Sequence, residues 1–208
     1  MSVIPSADVV VGDDGLSRCA WGANDPEYRR YHDEEWGTPQ HDPVRLYEKV
    51  CLEGFQAGLS WITILRRRPA FREVFHGFDV DQVAAMTEAD VERLITDARI
   101  IRHRGKIEAA IQNARATLAL DVPLDELLWS FAPPPRDTAP RSFAEVPATT
   151  PESAAMSKEL RRLGFRFVGP TTMYALMQAA GMVDDHVSGC FRAMMPRDSS
   201  AEPVATVA

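Results

Sequence analysis

Apolar residues recur at helical spacing along most of the chain, and no stretch of four or more residues alternates convincingly between apolar and polar. Residues three and four positions apart lie on one face of a helix. Two such faces are Leu46, Tyr47, Val50, Cys51 and Gly54, and Ile107, Ala110, Ile111, Ala114 and Leu118. The pattern therefore predicts an all-α protein with one sizeable core and two helical lobes that can enclose a cleft.

Capping residues indicate where the helices begin and end. Asp25-Pro26 and Asp42-Pro43 each combine an N-cap with a first-turn proline, and they predict helices through about Glu35 and Gln56. Further helices are predicted from Ser60 to a stop before Pro69, from Thr87 through about residue 98, over 107–118, over 123–131, from Thr150 to Gly164, and from about Thr171 to Gly181. Between the last two, 165–170 reads as a tight turn. We expect a single domain over 18–192, with flexible tails over 1–17 and 193–208.

Composition adds weak constraints. The chain has 208 residues, is 45% hydrophobic, and carries three cysteines and a net charge of −7. The few cysteines and the lack of a basic leader favour a cytoplasmic protein, and no apolar run approaches the ~20 residues needed to span a membrane. The acidic balance argues against a nucleic-acid partner, but only weakly, because binding needs a local basic patch. Basic clusters occur at 66–68, 102–106 and 161–166, although a solvated helix face is the favoured interpretation of each cluster taken singly.

Two cysteines and two histidines near the chain ends form a candidate metal site. Cys19, His32, His186 and Cys190 supply two thiolates and two imidazoles, a complete tetrahedral zinc set. Such a site would join the N-terminal and C-terminal segments and leave no open position, so the metal would be structural. Spacing alone leaves the alternative that these are buried core residues. Cys51 lies on an apolar helix face and reads as core.

An aromatic stripe accompanies a single carboxylate. Tyr28, Tyr31 and Trp36 fall on one helix face with His32, Trp21 precedes them closely, and the segment 52–61 adds Glu53 and Trp61. Such stripes are often plain core, but aromatic faces also stack on planar bases and attract cationic rings. A carboxylate can accept a hydrogen bond from an exocyclic amine. The combination favours an N-alkylated purine as ligand.

Six motifs in collinear order resemble the constitutive bacterial 3-methyladenine DNA glycosylase family, and the resemblance covers about 18–190. The motifs are CAWG (19–22), YRRYHDEEWG (28–37), LEGFQAGLSW (52–61), IIRHRGKI (100–107), FVGPTT (167–172) and DHVSGC (185–190). One departure is Asp184, where the family pattern has asparagine.

The resemblance implies a helix-hairpin-helix glycosylase fold and one structural zinc ion held by the four ligands. It implies that Glu53 reads a flipped base within a pocket of Trp21, Tyr28, Tyr31, Trp36 and Trp61. It also implies that the turn at 165–170 and the following helix N-terminus, with Gly169 and Thr171, face a DNA phosphate. Leu59, between Gly58 and Ser60, would wedge into the vacated base stack, with core packing as the alternative.

The expected activity is release of 3-methyladenine from alkylated duplex DNA, by hydrolysis of the N-glycosidic bond, at the start of base excision repair. After Gly169 no acid follows until Asp184, and no lysine stands where a Schiff base would form, so a monofunctional enzyme is expected. We also expect a monomer. An N3-alkylated adenine is already cationic, and it leaves without a strong general acid. Two alternatives stay open: a non-catalytic zinc-stapled module that senses alkylated DNA or free methylated purine, and a zinc hydrolase, which four filled coordination positions disfavour.

Overall fold

The computed structural model describes residues 8–193, and the chain in this range is mostly helical. The helices are α1 (Ala20–Ala23), α2 (Pro26–Glu34), α3 (Pro43–Gln56), α4 (Trp61–Val74), α5 (Val80–Ala84), α6 (Glu88–Leu94), α7 (Arg104–Leu118), α8 (Leu124–Trp129), α9 (Pro151–Arg162) and α10 (Pro170–Ala179). The prediction of a predominantly helical protein is confirmed. No helix within 8–193 is long and apolar enough to cross a membrane.

Local chemistry explains most of the helix starts. The Asp25 side chain accepts from the backbone N–H groups of Glu27 and Tyr28, and Asp42 accepts from that of Arg45. The predicted capping box of Thr87 and Asp90 is present at the start of α6. These side chains satisfy backbone donors that have no partner within the helix.

Three details differ from the sequence-based predictions. Residues 8–17, predicted as part of a flexible tail, contribute to a hairpin in which β1 (Val9–Val11) pairs antiparallel with β2 (Ser17–Cys19). That prediction is wrong for residues 8–17, because three-residue strands are too short to show alternation. Residues 1–7 and 194–208 lie outside the described range. The short helices α1 and α5 were not predicted.

The prediction that α4 stops before Pro69 is also wrong, because the helix continues to Val74. Pro69 is exposed, while Phe71 and Val74 beyond it are buried. Phe71 packs against Phe55 and Phe75 with ring centroids 4.6 and 6.3 Å apart. Burial of this aromatic cluster offsets the helix hydrogen bond that a proline cannot donate.

The buried apolar side chains form two clusters. The larger one lies among α3, α7 and α10 and the helices around them, and the smaller one contains Cys19, Tyr31, Trp36, Leu65, Val187 and Cys190. Trp61 packs against both clusters. The smaller cluster brings together residues from both ends of the described chain, and the candidate site is built on it.

The two last helices, α9 and α10, pack against each other and are joined by a turn at 163–169. Gly164 adopts φ +91° at the end of α9, a conformation that glycine adopts without strain. Asn113 on α7 clamps the turn from below: its Oδ1 accepts from the backbone N–H of Arg166, and its Nδ2 donates to the carbonyl of the same residue. The turn is therefore held in one conformation at the protein surface.

Candidate active site and metal centre

A cavity of about 300 Å³ opens between α2, the C-terminal end of α3, the start of α4 and the C-terminal end of α10. All six residues predicted for base recognition line it: Trp21, Tyr28, Tyr31, Trp36, Glu53 and Trp61. Gln56, Phe143, Ala175 and Gln178 complete the lining. The structure thus brings residues from five helices, from the segment after α2 and from the connector before α9 around one space. Its volume is at the lower end of the range for small-ligand sites.

The aromatic rings of the cavity wall support one another. Trp21 contacts the edges of Tyr28 and Trp36 with ring centroids 5.5 and 5.0 Å apart, and Tyr31 lies 5.5 Å from Trp61. The hydroxyl of Tyr28 accepts a hydrogen bond from the backbone N–H of Ile62, 3.0 Å away, which ties α2 to the start of α4. Such edge-to-face contacts fix ring orientation as well as burying area.

Glu53 is 4% exposed, and its Oε2 is buried without a hydrogen-bond partner among the described residues. Burial raises the pKa of this carboxyl to about 8, against a smaller opposing effect of Lys49 one turn earlier on α3. The indole Nε1 of Trp61 is also buried without a partner. Unsatisfied buried polar atoms are uncommon in proteins. Two of them in one cavity indicate a place for a polar ligand.

An ion pair beneath the cavity fixes the helices that form it. Arg68 on α4 donates two hydrogen bonds, of 2.5 and 2.7 Å, to the carboxylate of Glu35 at the end of α2. Arg68 is buried, and the pair holds the pKa of Glu35 below its ordinary value even though burial acts the other way. The bidentate geometry fixes α4 against α2 directly behind Tyr31.

The loop between α3 and α4 carries Leu59 at the edge of this region. Leu59 is 41% exposed and follows Gly58, whose φ of +83° turns the chain. Lys106 on α7 donates to the carbonyl oxygens of Phe55 and Ala57, 2.9 and 2.6 Å away, and so holds the loop in place. Leu59 is therefore an apolar side chain presented to solvent on a well-anchored loop.

Three of the four predicted metal ligands come together in a buried cluster. The donor atoms of Cys19, His32 and Cys190 all lie within 4.8 Å of one another. The fourth, His186, packs edge-on against His32 with ring centroids 4.9 Å apart, and its Nε2 is buried without a hydrogen-bond partner. The contact between the two thiols lowers the pKa of Cys190 and raises that of Cys19. Two cysteine sulfurs and an unpartnered imidazole nitrogen are donors that zinc binds, so these residues fit a metal ion.

Carboxylates orient both imidazoles. His32 Nδ1 lies 2.8 Å from Asp33 Oδ1, and His186 Nδ1 lies 2.8 Å from Asp184 Oδ1. Arg18, which is buried, donates to Asp33 in turn. A carboxylate on Nδ1 fixes the tautomer that leaves Nε2 free as a ligand. Asp184, which departs from the family pattern, thus holds a histidine in the orientation that a metal site needs.

At two positions the backbone passes so close to a histidine of this cluster that only glycine fits. A Cβ atom on Gly22 would lie 2.7 Å from the Cβ of His32, and one on Gly37 would lie 2.8 Å from the Cε1 of His186. Gly37 also has φ +74°. The C-terminal segment reaches the cluster through the backbone hydrogen bond from Phe191 to the carbonyl of Ser17 in β2. The hairpin, which the sequence did not predict, is what carries Cys19 to Cys190.

The residues of the three basic clusters differ in whether the structure leaves their side chains exposed and unpaired. Arg104 pairs with Glu88 and Glu92, and Lys106 is buried, so neither is free for a phosphate. Arg66 pairs with Asp25, Arg67 donates to backbone carbonyls, and Arg162 pairs with Glu159. The side chains of Arg102, Arg161 and Arg166 are exposed and pair with no carboxylate within 8–193. Two of these three lie at the turn between α9 and α10.

The predicted DNA-facing positions at this turn are at the start of α10. Gly169 is its N-cap, and Thr171 is exposed in its first turn. The nitrogen Nη2 of Arg161 would lie 3.7 Å from a Cβ on Gly169. Backbone N–H groups without helical partners and an arginine therefore share one surface.

Sequence reasoning missed four lining residues, Gln56, Phe143, Ala175 and Gln178. Gln56 stands in the same motif as Glu53, and a one-turn spacing from Glu53 was the available signal. Phe143 lies in the proline-rich connector, far along the chain from the aromatic stripe, and the sequence holds no signal for it. Ala175 and Gln178 belong to α10, whose orientation depends on tertiary packing.

Comparisons with known proteins agree with this geometry. A family model described as methyladenine glycosylase matches residues 21–193. DNA-3-methyladenine glycosylase 1 of Escherichia coli (strain K12) is 52% identical over 179 residues, which cover 84% of this chain and 96% of that protein. A crystal structure of 3-methyladenine DNA glycosylase I matches with a TM-score of 0.82 and 50% identity, over 84% of this chain and 98% of that one. A variant of such an enzyme in complex with 3-methyladenine matches with a TM-score of 0.79 and 36% identity, over 83% and 95% of the two chains.

The protein is helical, its cavity is lined by aromatic rings and a buried carboxyl group, and its relatives are DNA-3-methyladenine glycosylases. It is a hydrolase that acts on N-glycosyl bonds. The chain belongs to the methyladenine glycosylase family.

Proposed function

We propose that this protein excises 3-methyladenine from alkylated duplex DNA by hydrolysing the N-glycosidic bond, the first step of base excision repair. The observation that carries the proposal is the buried, unpartnered Oε2 of Glu53 in a cavity walled by aromatic rings. Family membership and the relatives' names support the substrate. Residues 18–192 form one catalytic domain, and the protein acts as a monomer.

The cavity residues recognise the base by its charge and its amine. Methylation at N3 makes adenine cationic while it is attached to the sugar, and electron-rich ring faces favour a cation. The base stacks on Trp61, and Trp21, Tyr28, Tyr31 and Trp36 close the other sides. Glu53 accepts a hydrogen bond from the exocyclic amine. Placing a cationic base beside Glu53 favours the carboxylate, so binding and ionisation of Glu53 are coupled.

Catalysis follows from holding base and sugar in a reactive geometry. The bond between N9 of the base and C1′ of the sugar breaks, the bonding electrons leave with the base, and the positive charge of the base is thereby neutralised. Water adds to C1′ and loses a proton. Glu53 holds the base in position by accepting from its amine, and no strong general acid is needed because the base leaves as a neutral molecule.

The nucleotide must leave the base stack to reach the cavity, which costs a few kcal/mol and less for a damaged base. We propose that Leu59 enters the vacated position and that the turn between α9 and α10 acts as a helix-hairpin-helix phosphate clamp. Gly169 and Thr171 supply the N-terminus of α10 to the phosphate. The exposed Arg161 and Arg166 add charge on the same surface.

Cys19, His32, His186 and Cys190 are proposed to hold one structural zinc ion. The ion would supply a cross-link between the N-terminal hairpin and the C-terminal segment. The clustering of the Cys19, His32 and Cys190 donor atoms, the unpartnered Nε2 of His186 and the carboxylates behind both imidazoles support this assignment.

The experiment is to incubate the purified protein with methylated duplex DNA and to separate released bases from the strand. A monofunctional enzyme releases 3-methyladenine and leaves strands that break only on alkaline treatment. Strand breaks without alkali would contradict the monofunctional mechanism. Tight binding of the methylated duplex without base release would instead support a sensing module.

A further inference from the structure

Gln178 is held in the cavity wall by a buried carboxylate that the base-recognition residues do not touch. It lines the same cavity as Glu53, and its Nε2 donates to Oδ2 of Asp185 over 2.8 Å. Its backbone carbonyl accepts from the N–H of Gly37, directly after Trp36. Both ends of the residue are therefore fixed relative to the cavity.

The environment of Asp185 determines which atom of the amide faces it. The Asp185 side chain is fully buried and accepts from Arg136 Nη1 at 2.5 Å and from the Tyr174 hydroxyl at 2.6 Å. Both of its oxygens therefore act as acceptors, one toward Arg136 and the other toward Tyr174. The nitrogen of the Gln178 amide must then face Asp185, and the oxygen Oε1 must lie on the other side. No donor within 8–193 hydrogen-bonds Oε1.

This arrangement differs from that of the other two polar groups in the cavity. Glu53 can accept as a carboxylate or donate as a neutral acid, because burial raises its pKa to about 8. Gln56 has no side-chain hydrogen bond among the described residues, so its amide can turn either way. Of the three, only Gln178 has its amide oriented by a neighbouring group: Asp185 binds Nε2, so Oε1 is fixed as an acceptor.

We infer that Gln178 is a specificity-determining residue, whose Oε1, oriented by Asp185, accepts from the amine of a 6-aminopurine and repels the carbonyl of a 6-oxopurine. The inference rests on the proposed function and names the discrimination that it requires. An adenine derivative offers N–H donors at position 6, whereas a guanine derivative places an oxygen there. Two acceptors facing each other in a dry cavity are strongly unfavourable, so a fixed acceptor discriminates better than a group that can switch.

The test compares binding of free 3-methyladenine and 3-methylguanine by calorimetry, together with release of both bases from methylated duplex DNA. Gln178→Met keeps the length of the side chain and removes the acceptor. We expect the preference for 3-methyladenine to fall about tenfold. Gln56→Met is the matched control, because it removes the amide whose polarity is not fixed, and its preference should stay within about twofold of the wild type.

Asp185→Asn tests the positioning role. An amide at this position can donate as well as accept, so it releases the Gln178 amide to turn. The preference should fall as in Gln178→Met, and the double variant should show no further fall, because both changes remove the same fixed acceptor. A merely structural role of Asp185 would weaken binding of both bases equally and leave the preference unchanged.

Circular dichroism confirms that each variant is folded before the bases are compared. A wild-type preference that persists in folded Gln178→Met, with 3-methyladenine still released, overturns this inference alone. A wild-type protein that releases and binds neither base overturns the proposed function and this inference with it.

Discussion

The indole of Trp36 packs edge-on against the imidazole of His186, with ring centroids 4.6 Å apart. Trp36 lines the aromatic cavity, and His186 belongs to the predicted metal ligands. Trp21, another wall residue, packs in the same way on His32 at 5.3 Å. The cluster of predicted metal ligands therefore supports the cavity wall from outside, although none of its four residues lines the cavity.

Removing the metal should destabilise the protein and shift its tryptophan emission. A cross-link between segments 171 positions apart, Cys19 to Cys190, restricts the unfolded chain, and the loss of such a link costs about 2–5 kcal/mol. Cys190→Ala should melt roughly 5–15 °C below the wild type. Differential scanning calorimetry with and without a chelator checks this, since the chelator should lower the melting temperature of the wild type but not that of Cys190→Ala.

Cys51→Ala is the matched control, because Cys51 is a buried thiol away from the cluster. Truncation of this core side chain lowers the melting temperature, but a chelator should lower the melting temperature of Cys51→Ala further, as it does for the wild type. Equal melting of the wild type with and without chelator would count against a structural metal.

Glu53→Gln should abolish selective base binding and stabilise the protein at high pH. The folded-state pKa of about 8 lies above the ordinary value of 4.5, so between these values the folded state holds a proton that the unfolded state has lost. The contribution of Glu53 to the free energy of unfolding therefore falls as pH rises through this window. Glu53→Gln should gain about 5 kcal/mol over the wild type above the window, and little below it. Urea unfolding across pH measures this difference.

Glu48→Gln on the same helix is the control. Glu48 is buried too, but it pairs with Arg72 and Arg45 at 2.8 and 3.2 Å. Its loss should destabilise the protein, because two arginines lose their partner. A destabilised Glu53→Gln above the window would show that Glu53 is paired in solution.

The same carboxyl makes base binding pH-dependent. A cationic, methylated nucleotide favours ionised Glu53, so it displaces a proton below about pH 8. Affinity for duplex that carries 3-methyladenine should therefore rise toward the pKa and level off above it. Fluorescence titration at a series of pH values measures the slope, which should vanish in Glu53→Gln.

Leu59→Ala should separate nucleotide extrusion from base recognition. Truncation of the exposed leucine removes the group proposed to fill the base stack, so base release from duplex should fall by about tenfold. Binding of free 3-methyladenine should be unchanged. Leu118→Ala, which truncates another exposed leucine at the end of α7, is the control and should release base as the wild type does. An equal loss of free-base binding in Leu59→Ala would place Leu59 in the cavity wall instead.

Arg161→Ala and Arg166→Ala should each weaken DNA binding uniformly across sequences. A lost phosphate contact reduces the slope of log affinity against log salt concentration by about 1. Arg99→Ala is the control, because Arg99 is tied to Asp97 and Glu73. An unchanged salt slope in both variants would move the phosphate contacts away from the turn.

The sequence predicts the helices well where local chemistry decides them. The caps at Asp25, Asp42, Thr87 and Thr150 are local devices, and the structure has all four helices that they predict. The prediction that α4 stops before Pro69 is wrong, because burial of the residues beyond Pro69 outweighs the local cost of a proline in the helix.

The site was foreseeable only in part, for the same physical reason. Glu53, Trp61 and the α2 aromatics lie within short motifs, and the family resemblance connects those motifs. Gln178, Phe143 and Ala175 reach the cavity through packing between distant segments, which no local pattern encodes. The sequence also does not show which arginines are paired. Arg104 and Arg161 look alike in sequence, yet Arg104 has glutamate partners and Arg161 pairs with no carboxylate within 8–193.

The most direct test of the central claim is chromatographic release of free bases from methylated duplex DNA by the wild-type protein, in excess of one base per protein molecule. The account predicts repeated release of 3-methyladenine, with 7-methylguanine left in place, and loss of that release in folded Glu53→Gln. Release of no base by a folded, zinc-loaded sample would contradict it, as would equal release by Glu53→Gln.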